Sequence, residues 1–259
     1  MATPLASRRL AFSVVAAVAL LGLPALAADK VGEAVDITVK VSGQSGALAK
    51  GDAIHRDESI RTNASGVGAF LFDDGTKLAV GPNSTVVIDN YVYGGGNTAR
   101  KLALGATKGT LRWISGKSDH AAYKIKTPSG TLGVRGTAFD IYVGRDGLTA
   151  VTLLNGSAEF CGARGCQTLK RRCEFILARL GGDVTKPRGV TRDIGRGISG
   201  PEAFPFISGR ARLPRGFLAG SSCAGLTAGP TRNNGFGQPS LEPKFDFPDR
   251  PNRNQRANA

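Results

Sequence analysis

The sequence predicts an all-β domain of short strands, solenoid-like or sandwich-like, followed by a disordered C-terminal tail. Three observations carry this. Between residues 31 and 160, short apolar runs recur, and many begin six to eleven residues apart, just after Gly66, Gly75, Ser84, Gly109, Gly130, Gly136, Gly147 or Gly156. No amphipathic pattern of twelve or more residues at helical period interrupts them. From Thr185 onward, Gly and Pro supply 20 of 75 residues and apolar residues are sparse, a composition that buries too little surface to offset chain entropy. Small residues at so many corners favour the solenoid arrangement over the sandwich.

Residues 1–27 have the order of a secretory signal. Arg8 and Arg9 precede an apolar run from Leu10 to Leu23, and Ala25-Leu26-Ala27 offers a cleavage site. The run is too short for a comfortable membrane span, and no second one follows. The expected mature chain starts near Ala28, has no transmembrane span, and is periplasmic or secreted. Its body is expected over residues 28–184 and the Pro/Gly/Arg-rich tail over 185–259.

The first strand, "DITVKV", alternates and sets Ile37, Val39 and Val41 on one face. In "GAFLFDDGTKLAV", Asp73-Asp74-Gly75 separates two apolar runs as the turn of a hairpin. "STVVIDNYVYGGGN" is a strand ending in glycines, and "GTLRWI", "YKIKT", "GTLGV", "TAFDIYV", "LTAVTLL" and "SAEF" continue the series. "LKRRCEFILARLGGDV" fits a helix of two to three turns or a final strand.

The stretch "KTPSGTLGVRGTAFDI", residues 126–141, repeats Gly-Thr at 130–131 and 136–137. Its glycines lack dinucleotide-binding spacing, no Gly-Lys-Ser/Thr ends it, and it holds no G-x-S-x-G. Glycines that turn the chain and threonines that suit half-buried strands account for it.

Four cysteines in an exported chain point to disulfides. No C-x-x-C pair occurs, and His55 and His120 are remote from the cysteines, which speaks against zinc. "EFCGARGCQTL" reads as strand, four-residue turn and strand, placing Cys161 opposite Cys166 and leaving Cys173 to pair with Cys223. Cys166–Cys173 with Cys161–Cys223, or Cys161–Cys173 with Cys166–Cys223, are the alternatives.

The formal charge is +14. Residues 28–163 hold 15 Lys and Arg against 13 Asp and Glu, and residues 164–259 hold 17 against 7. The basic excess therefore belongs to the C-terminal part. The β region has no basic stripe of the kind nucleic acid requires, so no specific nucleic-acid partner is expected.

Thr127-Pro128-Ser129-Gly130 and Gly133-Val134-Arg135-Gly136-Thr137-Ala138-Phe139 resemble the signature of the FecR domain family. "GDAIHRDESIRTNASGVGAFLFDDGTKLAVGPNSTVVI", "LGATKGTLRW" and "VTLLNGSAEF" resemble the family's opening, middle and closing segments, so the likeness spans about residues 50–160. It implies a β-rich periplasmic domain. In well-known members that domain receives a signal from an outer-membrane siderophore transporter, and a transmembrane helix joins it to a cytoplasmic anti-sigma segment. Here a signal peptide stands where those two parts would be, and the basic tail is not part of the signature. The residues carrying the likeness most closely are Thr127, Pro128, Gly130, Val134, Arg135, Gly136, Thr137 and Phe139.

Other candidates read as structural. Asp73 and Asp74 are ordinary residues of a solvated turn. Asp119-His120 lacks a nucleophile motif beside it. Trp113 and Tyr123 are expected in the core. Arg135 is expected to donate to backbone carbonyls at the corners. Lys170-Arg171-Arg172 is a solvated face. No catalytic residue, cofactor or metal site is expected. The expected function is that of a non-catalytic interaction, sensor or scaffold module. Its partner would be an envelope protein, an anionic envelope polymer or a second copy of the chain. The alternative is a β-helix carbohydrate-active enzyme or polysaccharide-binding protein, which needs carboxylates or basic residues converging in one groove.

Overall fold

The computed structural model describes residues 28–226 except 96, 196–197 and 220–222. The chain divides into two units, Met1–Thr227 and Ala228–Ala259. The expected signal peptide and the second unit lie outside the described residues.

The first unit is all-β. Its strands are β1 (Lys30–Thr38), β2 (Val41–Gly43), β3 (Gly46–Ala47), β4 (Ala53–His55), β5 (Ser59–Thr62), β6 (Val67–Phe72), β7 (Lys77–Val80) and β8 (Thr85–Gly95). They continue as β9 (Thr98–Ile114), β10 (Tyr123–Thr127), β11 (Gly130–Val143), β12 (Thr149–Gly162), β13 (Gly165–Leu169), β14 (Glu174–Ala178) and β15 (Arg188–Gly189). Short helices α1 (Gly200–Ala203) and α2 (Pro205–Ser208) follow. The expected hairpin over residues 67–80 is present, with Phe70 opposite Leu78. One local expectation changes. Val39 does not continue the first strand: it turns the chain at φ +63° and is 65% exposed. Of the two alternatives for the segment after Thr168, the strand is realised: residues 174–178 pair with β12.

The strands do not stack as coils. The register describes two layers that share three bent strands, so the sandwich-like arrangement is the one realised. Layer 1 runs β3-β2-β5-β8, then the first part of β9, β10, the first part of β11, the second part of β12, and β13. Layer 2 runs β4-β1-β6-β7, then the second part of β9, the second part of β11, the first part of β12, β14 and β15. Each shared strand changes layer at a glycine of positive φ: Gly109, Gly136 or Gly156. The bend in β11 lies in the register break between Arg135 and Ala138. A side chain at Gly156 would strike the Gly136 carbonyl oxygen, and one at Gly136 would meet the His120 ring at 2.7 Å. The second Gly-Thr pair is therefore a corner at which two strands fold over together.

Between the layers lies the main core. Trp113 is fully buried at its centre, edge-on to Tyr123 at 5.4 Å and near Phe139 and Phe72. The core positions expected for Trp113 and Tyr123 are confirmed.

The outer face of layer 2 is covered too. Ala69, Ala79, Arg112, Asp140, Thr152 and Phe175 form one cross-strand row on that face, and all six are buried. Their cover is the segment 190–226, here termed the strap. Val190, Ile194, Ala203, Phe204, Ile207, Cys223 and Leu226 pack on one half of the face, and Phe206, Ala211 and Phe217 on the other. The strap is tied down by the Cys173–Cys223 disulfide and by Thr110 Oγ1 donating to the Ala203 carbonyl at 2.9 Å. Lys77 Nζ donates to the Gly216 carbonyl at 2.9 Å, and Arg112 Nη1 to those of Phe217 and Leu218. The disorder expected from residue 185 is thus corrected for the described residues up to 226, and the remainder of the expected tail lies outside the described residues. The strap's scattered phenylalanines find a ready-made apolar face, which a composition count over the tail alone does not reveal. Burying each such side chain contributes about 1.5–3 kcal/mol.

Candidate functional site

The signature residues divide into those that build the corner and those left facing outward. Thr127-Pro128-Ser129-Gly130 closes the β10–β11 hairpin, with Thr127 Oγ1 donating to the Gly130 carbonyl at 3.1 Å. Ser129 Oγ donates to the Gly147 carbonyl, and Thr149 Oγ1 to Thr127 Oγ1, so this turn is latched to the neighbouring β11–β12 turn. Leu132, Val134 and Phe139 point into the core. The Thr137 carbonyl accepts from the Ser115 N–H at 3.0 Å. Ser115 Oγ in turn accepts from Trp113 Nε1 at 3.1 Å.

A buried network sits beneath. Asp74, expected in a solvated turn, is 1% exposed. Its Oδ2 accepts from Ser118 Oγ at 2.7 Å, Tyr123 Oη at 2.9 Å and Thr76 Oγ1 at 3.0 Å, and its Oδ1 from the Thr76 N–H at 2.9 Å. Tyr123 Oη also accepts from the Ser118 N–H, and Ser118 Oγ from the Ala99 N–H. Burial raises the Tyr123 phenol above its ordinary range; hydrogen bonds with Thr76 and Ser118 oppose this and the Asp74 carboxylate adds to it. The phenol therefore stays a donor at neutral pH. The turn after β6 took its buried carboxylate from tertiary partners 44 and 49 residues away. Nothing local marks Asp74 apart from Asp73, which is exposed.

This network fixes the loop of residues 115–122, which carries His120 to the corner. Asp119 Oδ1 accepts from the Ala121 N–H at 3.0 Å and caps the short helix His120–Ala122, so it is committed to the backbone rather than paired with His120. His120, Tyr123, Lys124, Val134, Arg135 and Glu159 surround a shallow depression of 490 Å³ on the outer face of layer 1. Arg135 is exposed. It makes no hydrogen bond to a corner carbonyl among the described residues, so its expected locking role is corrected: Ser115 supplies the hydrogen bonds to the corner at Thr137. At the middle of the depression is Gly133, paired with Lys124 on one side and Glu159 on the other. Its φ is not in the positive range, and a side chain there would meet nothing closer than the Glu159 carbonyl oxygen at 3.8 Å. The fold does not require glycine at this point, and its presence leaves the sheet surface bare. Gly133 belongs to the signature run, but Lys124 and Glu159 were not singled out from sequence, although the strict alternation of "YKIKT" marks Lys124 as outward-facing.

The cysteines pair as Cys161–Cys166 and Cys173–Cys223. The first closes the β12–β13 hairpin and the second anchors the strap. Lys170, Arg171 and Arg172 are exposed on the turn before β14. There Glu174 accepts from the Lys170 and Arg171 N–H groups and from Arg171 Nε at 2.6 Å. Burial pushes its carboxyl upward, but these donors outweigh burial and hold it below its ordinary value. Among the described residues no helix is long and apolar enough to cross a membrane.

Residues 58–159 match the family model described as FecR protein. That match covers β5 to most of β12 and leaves the strap outside. Two crystal structures described as a "putative anti-sigma factor" from Parabacteroides distasonis ATCC 8503 are similar at 15% and 16% identity, with TM-scores of 0.40 and 0.39. Each alignment covers 51% of this chain and 59% of that one, so the chain spans about three fifths of the length of those structures. No curated protein matches.

Proposed function

We propose that the chain is an exported, non-catalytic interaction and sensing module of the bacterial envelope, and that it meets its partner through the depression around Gly133. The FecR domain supports a regulatory or sensor role. Two disulfides and no free cysteine among the described residues support an oxidising compartment. The observation that carries the reading is how charge is used. The most deeply buried charged groups, Asp74 and the Arg112–Asp140 pair, hold the scaffold together. The outward ones, Lys124, Arg135 and Glu159, surround a bare patch of sheet. That arrangement recognises a surface and does not bring an acid, a base and a nucleophile together. The partner is an envelope protein or an anionic envelope polymer.

A photo-crosslinking residue at position 133 of the exported full chain tests this in intact cells. A discrete adduct is expected, lost when Lys124→Glu and Arg135→Glu are combined. An absent adduct, or one indifferent to charge reversal, contradicts the proposal.

A further inference from the structure

A second cleft, of 390 Å³, lies where the strap meets the rim of layer 2. The sheet contributes Lys108 and Tyr142 to its lining, the β11–β12 turn contributes Arg145, and the strap contributes Glu202 and Arg210. Three cations from three separate segments therefore face one carboxylate.

Two of the cations are uncommitted. Lys108 and Arg145 form no ion pair among the described residues. Arg210 is 3.6 Å from Glu202, and both side chains are largely exposed, at 59% and 67%. Such a pair is worth little and is readily exchanged for a better anion. The other nearby carboxylate, Asp146, is engaged within its own turn, its Oδ1 accepting from the Leu148 N–H at 3.1 Å.

The floor is rigid. Ser84 Oγ accepts from the Thr110 N–H at 2.8 Å, and its single proton is shared between the carbonyls of Pro82 and Thr110 at 3.1 Å each. Gly109, at φ +86°, packs against Ser84 so closely that a side chain there would overlap it. Thr110 Oγ1 holds the strap at Ala203. The floor is therefore preformed, and a ligand would have to order only the side chains around it. Tyr142 adds a donor, since burial, with Asp146 and Glu202 adding to it, raises its phenol above the ordinary range.

We propose that this cleft binds a small molecule carrying phosphate or carboxylate groups, held by Lys108, Arg145 and Arg210. The volume lies within the range of small-ligand sites. Because Glu202 and Arg210 come from the strap, the site exists only while the strap is docked. This gives the strap a role beyond covering the sheet, and it is independent of the face around Gly133.

Calorimetric titration of the mature chain with inorganic pyrophosphate, and separately with malonate, tests the proposal. Saturable binding of at least one probe is expected. Combining Lys108→Ala with Arg145→Ala should weaken it about tenfold or more, the loss of one or more charge-assisted contacts. Lys124→Ala with Arg135→Ala, on the other face, should leave it unchanged. Glu202→Gln should tighten it by removing the opposing charge that lines the cleft, a gain that a folding defect does not produce. The proposal is overturned if neither probe saturates, if both double variants weaken binding equally, or if only phosphatidylglycerol vesicles bind, since the last marks a general basic surface.

Discussion

Arg112 and Asp140 face each other on neighbouring strands of layer 2 and form a two-pronged ion pair, Nε to Oδ1 at 2.6 Å and Nη2 to Oδ2 at 2.8 Å. Both side chains are fully buried. The third nitrogen, Nη1, reaches the strap carbonyls of Phe217 and Leu218 at 3.3 Å each, and the guanidinium lies 5.4 Å from the centre of the Phe206 ring. The pair is thus shared between sheet and strap. Replacing one partner strands the other charge in a dry interface, which costs about 3–5 kcal/mol. Asp140→Asn is expected to lose that much in urea denaturation at neutral pH. Arg112→Met combined with Asp140→Leu should lose less than Asp140→Asn alone, because no buried charge remains.

Asp73 and Asp74 are adjacent, yet they should respond very differently to substitution. Asp74→Asn puts an amide donor among three hydroxyl donors and one N–H, leaving buried groups unmatched at about 1–3 kcal/mol or more. Asp73→Asn, at an exposed position, should stay within about 0.5 kcal/mol. Thermal melts of the two variants decide this, and similar melting temperatures would count against the network.

Gly136→Val combines a backbone penalty at φ +63° with a clash against the His120 ring. The backbone part costs about 1–3 kcal/mol. Adding His120→Ala should relieve the clash and leave the backbone part, so the double variant should be more stable than Gly136→Val but less stable than His120→Ala. Chemical denaturation of the three variants gives the comparison. Full rescue by His120→Ala would remove the corner argument.

Glu174 gives a pH dependence with a defined sign. Its folded-state pKa lies below the ordinary 4.5. The unfolded chain therefore takes up the proton first on acidification, so the stabilisation is present above pH 4.5 and is lost as pH falls through the folded value. Glu174→Gln should flatten this acid limb in melting temperatures measured from pH 6 down to about 3. An unchanged limb would show that other carboxylates govern it.

Much of this architecture was legible in the sequence. The hairpin at Asp73-Asp74-Gly75, the corner at Gly136 and the Cys161–Cys166 pairing follow from turn chemistry, which acts over a few residues. What was missed depends on long-range burial. Asp74 looks like Asp73 until Ser118 and Tyr123 arrive above it. The strap looks like disorder until its phenylalanines are set against layer 2. A signal for that cover was nevertheless present. "VGAFLF", "TAVTLL" and "EFILA" do not alternate as "YKIKT" does, and strands without alternation are buried on both faces. Layer 2 therefore needed a partner on its outer side, and residues after 184 supply it. The outward depression could not be read, because a glycine that builds a corner and one that leaves a surface bare are the same letter.

The central claim is that the strap is part of the domain. The most direct test compares cooperative melting of residues 28–227 with residues 28–187, the shorter chain carrying Cys173→Ser so that no free thiol confuses the result. Losing the strap exposes Phe175, Leu177 and the Arg112–Asp140 pair and removes the burial of Phe204, Phe206 and Phe217. The shorter chain is predicted to melt without a cooperative transition, or at least about 10 °C lower, given about 2–4 °C per kcal/mol for a domain of this size. A cooperative melt within about 3 °C of the longer chain, which corresponds to about 1 kcal/mol, would contradict the account.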